Sequence, residues 1–333
     1  MTPPWIAAQT RLLLAQRGHA WLLHGPSGLG QYTLAMELAR AWLCEKPDTN
    51  GAGACNTCGS CHAIDVHTHA DLCVLLPETR MLELDWPLSA EAQKEIDEKK
   101  RKPSKEIRVE AMRTAVEFSQ RTNARGRGKV VVIFPAEQMN TITANTLLKT
   151  LEEPVGDVKF VLASESAHQL LPTIRSRCLG HAMHWPDTAS SLEWLQAQDL
   201  PLPQAQLLLQ ATGGRPEDAL AFANSGRNPA SWAALPKAVS RGDVAYFKDW
   251  TPAQMVDALH KLCHDLLACH VGAQPRFFAA DTLAGAGGSS LHALTDWSHA
   301  LMRSTRTVEH PFNAPLMHEA LVAQAQSALN SRP

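Results

Sequence analysis

An α/β domain built on a parallel sheet, followed by an all-α region, is the fold class that this sequence predicts, and three observations carry it. Short apolar runs at Trp21-Leu22-Leu23-His24, 72–76, 130–134 and 159–163 alternate with stretches of helical periodicity; such alternation builds parallel strands covered by helices on both faces. The first run leads into a glycine-framed loop, Gly25-Pro26-Ser27-Gly28-Leu29-Gly30, which opens onto a helical pattern, the order of parts in a phosphate cradle. After His184-Trp185-Pro186 the strand-like runs stop and the composition turns to Ala, Leu and Gln.

Bulk properties narrow the classes. At 333 residues the chain has room for two or three domains with a core each. A net charge of −2 excludes a protein coated in positive charge, so any contact with nucleic acid is local or shared with partners. Residues 1–18 hold neither a long apolar run nor a small-residue cleavage site, so a cytoplasmic protein, neither secreted nor inserted in a membrane, is expected. In that reducing compartment eight cysteines do not point to disulfides, and a cluster of them asks for metal.

The first strand and its loop set the chemistry. After the loop, Leu34, Leu38, Ala41 and Trp42 recur at helical spacing over residues 32–44. Gly25 and Gly30 fit the frame G-x-x-x-x-G-K-[ST], yet Gln31 stands where the lysine neutralises phosphate and Tyr32 where a small hydroxyl holds Mg²⁺; Thr33 comes one position late. Gly25, Gly28 and Gly30 could cradle a nucleotide phosphate through backbone alone. The third run ends Val131-Val132-Ile133-Phe134-Pro135-Ala136-Glu137. A hydrolase of this class needs acids at that strand end, and Phe134 and Pro135 are non-polar. Glu137, past the strand, reads as a helix-start or surface residue. Without the lysine, the hydroxyl and both acids there is no route to metal-assisted phosphoryl transfer.

Cys44, Cys55, Cys58 and Cys61 form C-x10-C-x2-C-x2-C. The two tight steps let a turn wrap its thiolates around one ion, and Cys44, at the end of the preceding helix, supplies a fourth ligand. Zinc is the expected metal, with an iron–sulfur cluster as the alternative, and four protein ligands leave no open position, so the site reads as structural. Gly51, Gly53 and Gly59 read as its turn residues, and His62, His67 and His69 as surface or capping residues nearby.

Residues 86–103 are mostly charged or polar, and Glu91, Glu95, Asp97 and Glu98 offset Lys99-Lys100-Arg101-Lys102, the pattern of a solvated insertion. Asn145-Thr146-Leu147-Leu148-Lys149-Thr150-Leu151-Glu152-Glu153-Pro154 predicts an amphipathic helix stopped at proline, with Leu147, Leu148 and Leu151 on one face. Leu171-Pro172-Thr173-Ile174-Arg175-Ser176-Arg177-Cys178 then sets two arginines beside a strand start. Two readings of Arg177 stand: a cation paired with a carboxylate of its own fold, or one that reaches a γ-phosphate across a subunit boundary.

In the second half, Gly213-Gly214-Arg215-Pro216 breaks the helical pattern, Ser225-Gly226-Arg227-Asn228-Pro229 reads as a linker and residues 285–290 as a joint. Met255, Leu259, Leu262 and Leu266, and likewise Met317, Leu321, Ala325 and Ala328, fall at helical intervals. These stripes pack either inside the domain or against neighbouring subunits.

The helix at residues 145–154, the Ser176-Arg177-Cys178 motif and the four cysteines after the glycine loop give a resemblance over essentially the whole chain. The sequence is similar to the delta-prime family of bacterial DNA polymerase III clamp-loader subunits, within the AAA+ class. The degenerate loop and missing acids separate it from the ATP-hydrolysing gamma/tau subunits, and the insertion at 86–103 departs from the compact family pattern. The resemblance implies three domains: a RecA-like AAA+ P-loop domain at 1–185 holding the zinc module (44–61), a small helical lid at 186–227 and a helical collar at 228–333. It implies a heteropentamer with gamma/tau and delta subunits that opens the sliding clamp and places it on primed DNA, with no membrane partner. In it this chain is a non-hydrolysing stator that offers Arg177 in trans as an arginine finger and carries one structural zinc. The second-sensor arginine of active relatives looks displaced, with Arg215 a loose match. Two other classes remain open on the residues: a P-loop enzyme that still turns over ATP with atypical side chains, and a zinc-dependent DNA-binding protein using Arg121, Arg125, Arg127 and Lys129. That basic stretch reads more simply as a solvated loop before a strand.

Overall fold

Five strands form one parallel sheet in the order β2-β3-β4-β1-β5, with β1 at Ala20–His24, β2 at Leu72–Leu75, β3 at Lys129–Ile133, β4 at Val158–Ser164 and β5 at Leu179–Ala182. The computed structural model describes residues 2–47, 53–225, 228–283, 289–308 and 313–331. Gly51, the Gly226-Arg227 part of the linker with the 227/228 boundary, and residues 285–288 of the joint lie outside these. The chain divides into two compact units, Met1–Pro186 and Asp187–Pro333.

In the first unit the helices are α1 (Pro4–Leu14), α2 (Gln31–Leu43), α3 (Gly59–Asp65), α4 (Glu78–Glu83), α5 (Ala90–Asp97), α6 (Val109–Gln120), α7 (Thr141–Glu152) and α8 (Pro172–Arg175). Alternate strand residues go to opposite faces. Trp21, Leu23, Val130, Val132, Val161 and Ala163 pack with Ile6, Leu34 and Leu38 of α1 and α2. Leu22, Val131, Ile133, Phe160 and Leu162 pack with Met112 of α6 and with Leu147 and Leu151 of α7. The sheet is therefore covered on both faces, as the unbroken apolar runs require. Asn140 caps α7 by accepting the Thr143 N–H, so that helix starts four residues before the predicted segment. Leu147 and Leu151 are buried on its inner face and Leu148 is half-buried.

The charged insertion pairs its cations with its own acids and with Glu78 outside it. Its helix α5 buries nothing, and Arg101 reaches both carboxylate oxygens of Glu78 in α4 (2.5 and 2.9 Å) and Glu95 (2.6 Å). Lys100 pairs with Glu98.

The second unit contains α9 (Thr188–Gln196), α10 (Leu202–Ala211), α11 (Pro216–Asn224), α12 (Pro229–Ser240), α13 (Pro252–His270), α14 (Ala280–Leu283), α15 (Leu291–Thr307) and α16 (Ala314–Leu329). Gly213 and Gly214, both at positive φ, turn the chain between α10 and α11. The two apolar stripes resolve as internal packing: Met255, Leu259, Leu262 and Leu266 of α13 meet Leu321, Ala325 and Ala328 of α16 in one core, with Met317 at its margin. No helix among the described residues is long and apolar enough to cross a membrane.

Asp265, fully buried in α13, holds this unit's irregular segment. It accepts the backbone N–H groups of Arg276 (2.9 Å), Phe277 (2.7 Å) and Phe278 (2.8 Å). Trp232 then donates to the Phe277 carbonyl at 3.0 Å and stacks on Phe278. Asp265→Ala strands three donors, each costing ~1–3 kcal/mol if left dry, so urea unfolding should show a loss of about 3–5 kcal/mol. A midpoint equal to wild type would mean that water replaces the carboxylate at no cost.

Candidate functional site

The glycine loop joins β1 to α2 at the carboxyl end of the sheet, and the Gln31 side chain is tied to its backbone. Gln31 is buried, and its amide donates to the Gly25 carbonyl at 3.0 Å and the Pro26 carbonyl at 2.8 Å. An amide tied to its own loop carries no charge to offer a phosphate. Gly28 and Gly30 sit at positive φ, and a Cβ on Gly25 would come within 2.7 Å of Leu29 and 3.1 Å of the Met183 carbonyl, so the glycine frame is needed for the turn itself. Tyr32 packs on Phe134 with ring centroids 5.5 Å apart, and its hydroxyl accepts the Trp86 indole N–H at 2.7 Å. Burial raises the Tyr32 pKa. Trp86, the first residue of the insertion, stacks on His67 at 3.9 Å.

A carboxylate stands at this loop. Ser27 donates its hydroxyl to Glu165 at 3.0 Å, and Arg80 lies 3.7 Å from Glu165 and 5.8 Å from the Phe134 ring centre. Glu137 accepts the Glu165 N–H at 3.0 Å, so it braces the turn after β4. Sequence reasoning passed over Glu165, and took Trp86 only as the start of the insertion, because neither belongs to a local motif.

Cys44, Cys55, Cys58 and Cys61 converge, with all four sulfurs within 4.8 Å of one another. The closer pairs are 3.5 Å (Cys44–Cys55, Cys58–Cys61) and 3.9 Å (Cys44–Cys58, Cys44–Cys61) apart. A tetrahedral zinc with Zn–S near 2.3 Å sets its sulfurs about 3.8 Å apart, whereas a disulfide would bring two to about 2.05 Å. The donor set therefore fits a closed metal site. N–H and hydroxyl contacts from Thr57 hold Cys55 down at about 6, and burial pushes Cys61 up to about 12; a bound cation would favour the thiolate at both. Cys44 closes α2 and Cys58 caps α3. Gly53 takes a positive φ, but Gly59 opens α3 instead of making a turn, and a Cβ there would meet Arg125 Nη1 at 3.4 Å.

Arg125 ties this module to the sheet by pairing with Glu45 at 2.7 Å, while fully buried Asp71 accepts the Ala124 and Arg125 N–H groups. Asp71 also holds Lys129 at 3.3 Å, with both side chains buried, and these bonds keep the Asp71 pKa low against its burial. Residues 121–127 are exposed, as a solvated loop requires, but Lys129 departs from that expectation, being buried against Asp71. Burial keeps the His69 pKa low, and His69 accepts the Asp71 N–H.

Arg177 follows α8 and is half-buried. Its Nε donates to Glu152 at 2.7 Å, its Nη2 reaches the same oxygen, and its Nη1 donates to the Thr173 carbonyl at 2.8 Å. Arg215 pairs with Asp218 at 3.1 Å; burial, reinforced by Asp218, pushes neighbouring Glu217 up to about 7.

Residues 8–184 match the family model described as DNA polymerase III, delta subunit. The chain belongs to this family. It is 40% identical over 204 residues to DNA polymerase III subunit delta' of Pseudomonas aeruginosa, covering 61% of this chain and 55% of that one. It is 31% identical over 226 residues to delta' of Escherichia coli (66% and 60%). DNA polymerase III subunit tau of Escherichia coli is 33% identical over 168 residues, covering 50% of this chain and 22% of that protein. A gamma subunit-related protein of Thermotoga maritima aligns over 97% of this chain and 99% of its own, at TM-score 0.49 and 15% identity. The chain spans about half to three-fifths of the length of the delta' relatives that it matches.

Proposed function

We propose that this chain is the delta' subunit of a DNA polymerase III clamp loader, silent at its own glycine loop and lending Arg177 to an adjacent gamma/tau ATPase. The observation that carries the reading is the Gln31 amide closed onto the Gly25 and Pro26 carbonyls, in a chain of this family. With Glu165 beside Ser27 and facing Arg80, the loop meets a triphosphate with a neutral amide where a hydrolase places its lysine. Arg177, partly open to solvent, supports the role in trans, since a guanidinium cannot lose its charge and matches phosphate geometry. The partners are gamma/tau and delta subunits, and through them the sliding clamp and primed DNA. Residues 186–227 serve as the lid and 228–333 as the collar that holds the ring. One zinc on Cys44, Cys55, Cys58 and Cys61 would close the module, supplying rigidity and no reaction.

Two measurements test this reading. The isolated chain should show no saturable ATP turnover and should co-elute with gamma/tau and delta subunits in gel filtration. Saturable turnover by the isolated chain would replace this reading with that of a P-loop enzyme. The DNA-binding alternative loses one of its four cations, because Lys129 is buried against Asp71.

A further inference from the structure

We infer that Glu152 is a positioning residue that restrains Arg177 until a neighbour presents its triphosphate; this rests on the role proposed for Arg177. Glu152 ends α7, and Glu153 and Pro154 follow. A helix C-terminus is the negative end of the backbone dipole, so two successive carboxylates there break the usual charge preference. Such local violations concentrate at functional positions. Lys149 is the helix's own last-turn cation, but the cation bonded to Glu152 is Arg177, whose Nε and Nη2 both point at one Glu152 oxygen while Nη1 is held by the Thr173 carbonyl. The guanidinium is thereby oriented on two sides before any phosphate arrives.

The restraint is weak enough to be exchanged. Arg177 and Glu152 side chains are 30% and 47% exposed, and solvent screening leaves such a pair little strength. A triphosphate oxygen offers the same charge-assisted geometry with more negative charge behind it. Glu152 must turn aside as the phosphate enters, because the carboxylate and the phosphate compete for the same N–H groups. Glu152 thus sets a threshold: Arg177 engages only when the neighbouring nucleotide is well placed, and idle turnover is held down.

The test uses the reconstituted loader with clamp, with and without primed DNA. Glu152→Gln should raise the DNA-independent ATPase about two- to fivefold, the range that an exposed ion pair converts to, and leave the DNA-saturated rate unchanged. Glu153→Gln should change neither rate. In an Arg177→Ala background, Glu152→Gln should have no further effect. A Glu152→Gln loader with wild-type idle turnover, or the same gain without Arg177, would overturn the inference while leaving the arginine role standing. If Arg177→Ala itself changes nothing, the arginine role fails and the restraint fails with it.

Discussion

The wild-type protein should carry about one zinc per chain, and Cys58→Ser should release it. Structural zinc sites in small modules hold their ion with roughly 10–16 kcal/mol of apparent binding free energy, and a serine hydroxyl is a poor replacement for a thiolate. The substitution is also clean. Cys58 caps α3 by accepting the Cys61 N–H, and serine is a preferred cap residue, so loss of metal is not confounded with loss of the helix start. The damage should stay local, because Cys44, Cys58 and Cys61 form a cluster of their own apart from the two cores on the sheet faces. Hydrogen-exchange protection should fall across Gly59–Asp65 and in the segment that Arg125 ties to Glu45, while β1, β3 and β4 keep theirs. A wild-type preparation that is free of metal and still protects α3 would remove the metal assignment.

The parts legible in the sequence are those whose cause is local. Val130, Val131 and Val132 announce a strand buried on both faces, glycines announce a turn, and cysteines two residues apart announce convergence, because backbone geometry alone limits what such spacings can do. The parts that stayed hidden join residues far apart in the chain. Trp86 meets Tyr32 across 54 positions and Arg125 meets Glu45 across 80, and only strand order brings them together. Lys129 misled for the same reason: beside Arg125 and Arg127 it looked like one more surface cation, yet as the first residue of β3 it lies against buried Asp71. Gln31 could be read as a missing lysine but not as an occupant of its own loop, since the amide bonds depend on how the loop closes. Glu152 did leave a local trace, a carboxylate pair at a helix C-terminus, which charge preference alone could have flagged.

Arg177→Ala should abolish rapid turnover at the ATPase site that faces this chain, by ~10³-fold or more if the guanidinium acts as a finger in trans, and clamp loading should fail with it. The fold gives reason to expect that the loss is chemical. An exposed Arg–Glu pair contributes no more than ~1 kcal/mol to stability, and the sheet cores lie elsewhere, so the variant should fold and assemble as wild type does. Arg177→Lys sharpens the result. Lysine keeps the charge but lacks the planar fork that binds Glu152 and that suits phosphate, so partial rescue would point to charge alone and no rescue to geometry. The two readings of Arg177 left open by the sequence separate here. A residue that only pairs with Glu152 would cost the loader nothing when removed, so unchanged DNA-stimulated ATPase and unchanged clamp loading would leave it a surface ion pair. A steep loss of both rates in a fully assembled loader is the outcome that only a cation delivered across a subunit boundary accounts for.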